Sequence, residues 1–503
     1  MEKGQGMVSK TMLSEFDRTF FELVADAMFS NPFSLKRQEL DRKIVAFATQ
    51  ESADHIAWPK LVSLVVERLE HTIAALERQG RPAPVKIEHF EKGDQELMKR
   101  AFLFLIFHKT IGDLDELIRK REKSPEKNPE VPFASKAIRQ MIERGFPNDE
   151  AVRYFELFYQ IRRAFYFILQ GLVGQSDCMR QLRMDLWNNI FTHDIRGYER
   201  HLWNRMEDFA TLLEGPTGCG KGAAAAAIGK SCFIPFDTAK NTFQSNFMDL
   251  FVPANLSLYS SGVLESELFG HIAGSFTGAV KDYEGLFGQC RPHGTIFLDE
   301  IGELSTQVQV KLLKVLEERT YTPVGSNKAR RFHGRVIAAT NRSVAELRKQ
   351  GVFRDDFYYR LCADCIVVPS LALRVEQNPE ELRELVEHFT RQMTNDYNPK
   401  LADRVMEVIA ARLPKNYAWP GNVRELAQCI RRVILKDDYQ PDETPKRTRL
   451  DGIMAGIETE SFSEAQLTSQ YCKFLFDRYG SYKDVARITG LAWSTAKGKT
   501  IGE

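Results

Sequence analysis

The chain is 503 residues long, with 43% hydrophobic and 27% charged side chains. That balance belongs to globular proteins and not to disordered or membrane-spanning chains, and at roughly 100–200 residues per domain it predicts about three domains. The 69 Lys and Arg against 68 Asp and Glu exclude a global positive field, so any contact with nucleic acid falls to a local patch. Eight scattered cysteines and opening residues without an apolar run of the secretory kind lead us to expect a reducing cytoplasm. Neither Ala101 to Phe107 nor Tyr154 to Leu169, which is broken by Arg162 and Arg163, reaches the ~20 apolar residues of a spanning helix. No membrane partner is expected.

In residues 1–171 apolar side chains recur at helical spacing, as in Val62, Val65, Val66, Leu69, Ile73 and Leu76, which predicts an all-helical N-terminal domain. The charged, proline-rich run Arg121 to Pro132 is expected to be an exposed loop within it. From Leu172 the texture changes. Short β-rich runs at Phe209 to Glu214, Thr295 to Asp299, Val336 to Thr340 and Ile366 to Val368 alternate with helical segments, predicting a parallel sheet with helices on both faces. This α/β subdomain is expected over 172–372, followed by a helical lid over 373–436. Residues 437–458, which open on a stretch nearly devoid of apolar side chains, read as a linker. Residues 459–503 read as an all-α unit.

The segment Gly215, Pro216, Thr217, Gly218, Cys219, Gly220, Lys221 follows an apolar run and precedes an alanine-rich helical stretch. In that context glycines let backbone N–H groups turn toward phosphate oxygens, the helix N-terminus adds a favourable dipole, and Lys221 neutralises β and γ phosphates. ATP is the expected cofactor. Gly222 stands where such loops carry a magnesium-binding hydroxyl, so Mg2+ must lean on water and on carboxylates. Asp299, ending the apolar run from Thr295, is expected to hold Mg2+ through water, and Glu300 to polarise the attacking water.

Glu265-Ser-Glu-Leu-Phe-Gly270-His271, followed by Gly274-Ser275-Phe276-Thr277-Gly278-Ala279, resembles the signature loop of bacterial enhancer-binding proteins, the AAA+ activators of sigma-54 RNA polymerase. Serine replaces the loop's first alanine. The resemblance runs from about Leu172 to Lys436 and implies that Phe276 and Thr277 touch sigma-54. It further implies that Asn255 is a switch asparagine bonded to Glu300, and that Asn341, in Ala-Ala-Thr340-Asn341, is the sensor I residue. Arg354 and Arg360, in Phe353-Arg354-Asp-Asp-Phe-Tyr-Tyr-Arg360, resemble arginine fingers that reach a neighbour's γ-phosphate. Arg424, in Trp419-Pro-Gly-Asn-Val-Arg424, resembles sensor II, which contacts nucleotide in its own subunit. Fingers acting in trans imply a homo-oligomeric ring, by family precedent a hexamer. Pro369-Ser-Leu-Ala-Leu-Arg374 is a weaker copy of a family segment. The pair Cys362 and Cys365 has no second pair or histidine beside it in sequence and is expected to be partly buried in a strand.

Near the end, Gly490 separates two short helical patterns, the arrangement of a helix-turn-helix whose second helix would enter the major groove. It resembles the factor-for-inversion-stimulation type of DNA-binding domain. Trp493, Ser494, Thr495, Lys497 and Lys499 are the candidate contacts to upstream promoter DNA, on a helix expected to be interrupted by Gly498.

The resulting expectation is an ATPase whose ring remodels the closed complex of the sigma-54 RNA polymerase holoenzyme, under regulation by the N-terminal domain. Two other readings stand beside it: a DNA-occupancy regulator that binds ATP without turnover, as Gly222 would allow, and an AAA+ remodeller of another target.

Overall fold

A computed structural model of the chain describes residues 12–49, 58–78, 83–124, 128–441, 453–454, 456–457 and 462–501. Most of the segment read as a linker lies outside these. Two compact units are present. The first takes in the residues up to Met406 together with Asn416–Ile430, and the second Glu407–Lys415 with the residues from Arg431 onward.

The first unit opens with seven helices: α1 (Glu15–Phe29), α2 (Leu35–Thr49), α3 (Trp58–Arg78), α4 (Lys92–Lys123), α5 (Ala134–Glu143), α6 (Asn148–Gly171) and α7 (Asp177–Phe191). The spacing read in α3 is its buried face, since Val65, Leu69, Ile73 and Leu76 are all buried. The expectation of an exposed loop over Arg121 to Pro132 holds at Ser124, Asn128, Glu130 and Pro132, which are exposed and outside the helix, with 125–127 outside the described residues, and needs correction at its start and at Val131. Helix α4 runs on to Lys123, Arg121 and Val131 are fully buried, and Arg121 donates to the Tyr159 hydroxyl, the Ser245 carbonyl and the Asn128 side chain. A guanidinium can be buried when oxygens meet its fork, so charge content alone misplaces such a residue on the surface.

Next come five parallel strands, β1 (Thr211–Glu214), β2 (Phe251–Asn255), β3 (Thr295–Asp299), β4 (Arg335–Thr340) and β5 (Asp364–Val367), in the order β2-β3-β4-β1-β5. Four of them overlap the predicted runs. Strand β2 carries Pro253, which cannot donate to a ladder, and it sits at the sheet edge where one side needs no donors. Side chains alternate across the sheet. Leu213, Phe297, Ile337 and Ala339 enter one core, and Leu212, Ile296, Leu298, Val336 and Ala338 the other. The first of these cores is continuous with the interior of α1–α7.

Helix α6 makes that continuity. Its Gln160 donates to the Ser231 carbonyl at 3.0 Å, and its Arg163 to the carbonyls of Lys230 and Cys232 at 2.7 and 2.6 Å. These oxygens lie at the C-terminal end of the helix Lys221–Gly229, where the helix dipole favours a positive charge. Phe155 and Tyr159 stack on Phe243 of a two-residue hairpin.

In the second unit, the helices Glu464–Tyr479, Tyr482–Thr489 and Trp493–Ile501 enclose a small core of Cys472, Leu475, Val485 and Ala496. Gly480 and Gly490 end the first two in the left-handed conformation, which glycine adopts without strain. The last helix continues through Gly498 to Ile501, correcting the expected interruption. One internal glycine costs only about 1 kcal/mol.

Candidate functional site

The phosphate-loop candidate joins β1 to the helix Lys221–Gly229. Its tight course explains its glycines. A β-carbon on Gly215 would collide with the Val368 carbonyl oxygen, and one on Gly218, at φ +77°, with that of Gly421. Gly220 has φ +114°, and a β-carbon on Gly220 or Gly222 would meet nothing within 4 Å. The space beside these two glycines at the helix start is thus uncrowded, and a helix start is where backbone N–H groups can meet an anion. Lys221 is buried, and its ammonium donates to the carbonyls of Gly215 and Pro216 at 2.8 and 3.2 Å. Pro216 and Thr217 are exposed, while Cys219 is buried, its thiol pKa raised by that burial.

Asp299 and Glu300 follow from the ladder, where parallel strands end side by side. Asp299 closes β3, and its carboxylate accepts the Glu300 N–H at 3.0 Å. Glu300 takes a left-handed conformation at φ 60°. Burial lifts its carboxyl above the ordinary range and the adjacent Asp299 charge adds to this, while Lys221 and the Asn341 N–H oppose it. Asn341, just past β4, donates to the Thr217 hydroxyl at 3.2 Å. Asn255 pairs in register with Asp299. Its side-chain oxygen accepts the Ser257 N–H, and among the described residues no hydrogen bond joins it to Glu300.

From the lid side, Gly421 and the Arg424 β-carbon lie against Gly218, and Arg424 is exposed. Sequence reasoning passed over its neighbour Asn422. This residue is buried; its side chain donates to the Thr217 carbonyl at 3.0 Å and accepts the Leu371 N–H at 2.8 Å. The signal was an Asn after Pro-Gly at a helix start, where left-handed φ and capping favour Asn; its φ is 52°. Arg374, in the weaker family segment, is buried and pairs with Glu381.

Arg354 and Arg360 are exposed, paired with Asp356 and Glu317. Among the described residues neither is bonded to its own phosphate loop. The loop Gly274 to Ala279 is closed by the Gly274 N–H to the Ala279 carbonyl at 2.8 Å, with Gly274 and Gly278 at positive φ. Phe276 is 46% exposed beside His271, and Thr277 is exposed. Ser275 packs against Gly325, its hydroxyl buried without a hydrogen-bond partner. Cys365 lies in β5 but exposed, and Cys362 precedes the strand half-buried. Among the described residues no cluster of three or more His, Cys, Asp or Glu could hold a metal, and no helix is long and apolar enough to cross a membrane.

On the last helix Trp493, Ser494, Thr495 and Lys497 are exposed and Lys499 is half-buried, its carbonyl accepting the Ser469 hydroxyl. The Lys497 ammonium lies 5.3 Å from the Trp493 ring centre.

A parallel sheet with a glycine loop before a helix, acidic residues at the end of β3 and a lid against the loop defines a P-loop fold of AAA+ type. Residues 199–366 match the sigma-54 interaction domain model and residues 377–445 the AAA+ ATPase lid domain model. Over 287 residues the chain is 38% identical to the transcriptional regulatory protein GlrR of Escherichia coli K12, covering 57% of this chain and 60% of that one. It is 36% identical to the nitrogen fixation protein AnfA of Azotobacter vinelandii, covering 56% and 50%. It is 37% identical to an uncharacterized protein in the HyuA 5' region of Pseudomonas sp. (strain NS671), covering 47% of this chain and 74% of that one. The chain belongs to the sigma-54 interaction domain family. It spans half to three-fifths of the length of AnfA and GlrR.

Proposed function

We propose that this chain is an ATP-driven activator of the sigma-54 RNA polymerase holoenzyme, working as a homo-oligomeric ring. The observation that carries the reading is the convergence on one loop: Lys221 within it, Glu300 and Asn341 from adjoining strand ends, and Asn422 from the lid. The uncrowded helix start at Gly220 and Gly222 fits a nucleotide's phosphates. Asp299 would hold Mg2+ through water, and the ion would supply positive charge against the charge developing on the phosphates.

Within one subunit Lys221 holds the phosphates, Glu300 accepts a hydrogen bond from the attacking water, and Arg424 approaches the nucleotide from the lid. Arg354 and Arg360, exposed and free of their own loop, suit a neighbour's γ-phosphate, because arginine stays charged and forks onto oxygens. Asn255, at the strand end beside Asp299, is placed to relay nucleotide state. The exposed Phe276 and Thr277, between two glycines at positive φ, form the contact with sigma-54. The last helix presents Trp493, Ser494, Thr495, Lys497 and Lys499 to upstream promoter DNA.

The test is Mg2+-dependent ATP hydrolysis as protein concentration rises, for the wild type and for Arg360→Ala and Glu300→Gln. Cooperative turnover that both substitutions abolish, with Glu300→Gln still binding ATP, supports a ring with shared sites. Absence of turnover with or without promoter DNA would favour a regulator acting by occupancy. Thr277→Ala is expected to keep ATPase activity and lose sigma-54 binding; retained binding would move the contact elsewhere.

A further inference from the structure

Among the helices α1–α7 lies a cavity of about 320 Å3 that the proposed motor does not use. Its walls are mainly apolar, and Phe104, Phe107, Phe158, Phe165 and Trp187 contribute aromatic faces. For scale, an engineered apolar cavity of about 150 Å3 admits benzene. Twice that volume takes a molecule of two fused rings, or one ring with a short chain.

The polar groups on the wall restrict the ligand's charge. Arg37 is paired with Asp41 at 2.9 Å and Arg162 with Asp115 at 2.5 Å, so each guanidinium already faces a carboxylate. His108 donates from Nδ1 to the Phe104 carbonyl at 2.8 Å. Burial and the neighbouring Arg37 push its pKa down to about 3, which leaves the ring neutral and Nε2 an acceptor. Among the described residues that line the cavity, both guanidinium groups have a carboxylate partner and there is no carboxylate.

We infer that this cavity is a binding site for a neutral, mainly aromatic small molecule of one or two rings that carries a hydroxyl or similar donor for His108. Its position gives the site a consequence. Phe158, Ile161, Arg162 and Phe165 line the cavity from α6, and Gln160 and Arg163 of the same helix hold the far end of the helix that follows the phosphate loop. A molecule that repositions α6 therefore acts on the helix whose other end faces the nucleotide.

The test is calorimetric titration of the full chain, without nucleotide, with 2-naphthol as probe and naphthalene as the same ring system lacking the hydroxyl. Omitting ATP keeps the result independent of whether the chain is an ATPase. The expected result is one 2-naphthol per chain, bound at least fivefold more tightly than naphthalene. Ile111→Trp, which fills the cavity from α4, should weaken binding at least tenfold. His108→Phe keeps the volume close to native and should erase the preference for the hydroxyl, which serves as the test should the tryptophan variant not fold. No saturable binding up to the solubility of 2-naphthol, or unchanged affinity in a folded Ile111→Trp or His108→Phe chain, overturns the assignment.

Discussion

Arg163 donates to the carbonyl oxygen of Lys230 at 2.7 Å, across 67 residues of sequence, and so ties the N-terminal helices to the end of the helix that begins at the phosphate loop. A second bond, from the other terminal nitrogen, goes to the Cys232 carbonyl, Nε is buried without a hydrogen-bond partner, and the guanidinium lies 4.4 Å from the Tyr159 ring centre. Arg163→Met keeps the length of the side chain and deletes both bonds. It should lower stability by about 2–3 kcal/mol, read as a shifted urea midpoint, with faster amide exchange in the last turn of Lys221–Gly229. An unchanged midpoint would mean that this junction contributes little.

Asn422→Asp separates the two halves of the lid contact. The aspartate can still accept the Leu371 N–H and tolerate the left-handed backbone, but it sets a carboxylate oxygen against the Thr217 carbonyl. We expect a loss of about 1–3 kcal/mol and a higher KM for ATP with kcat less affected. A lower kcat at unchanged KM would place the residue's role in the chemical step instead.

Ser275→Ala deletes a buried hydroxyl that has no partner. Removing an unsatisfied polar group should raise stability by about 1 kcal/mol, seen as a higher Tm. Gly325→Ala should do the reverse, since its new β-carbon would meet that of Ser275 at 2.5 Å in a backbone at φ +79°. A lower Tm for Ser275→Ala would show that the hydroxyl is bonded in solution.

The acid limb of the rate profile should lie above the ordinary glutamate range. Burial and Asp299 raise the Glu300 pKa, so as pH falls Glu300 takes up a proton earlier than a free glutamate and loses its power to polarise water. Steady-state hydrolysis from pH 8 to 5 tests this. A limb at or below the ordinary value would assign it to another group.

The family motifs were legible because they are local. The spacing of the loop glycines, the run from Thr295 to Asp299 and the turn at Gly490 can each be read within a few residues, although what crowds Gly215 and Gly218 is Val368 and Gly421, remote in sequence. Strand β2 was missed because proline argues against a strand, and only its place at the edge removes the objection. Arg121 was assigned to a surface loop because its partners, Ser245 and Tyr159, are remote in sequence. Asn255 followed the resemblance to a strand end beside Asp299, but its side-chain oxygen is engaged by Ser257.

By itself the sequence determined the helical and strand periodicities, the phosphate loop with its acidic strand end, and the exposed loop around Phe276, since backbone sterics and short-range patterning act over a few residues. Tertiary structure alone decided that α6 caps the helix after the phosphate loop, that Asn422 spans from lid to loop, and that aromatic side chains from three helices line one cavity. Those depend on which distant oxygens and rings meet in the packed core, where each buried polar group must find a partner and the partner's address is set by the fold.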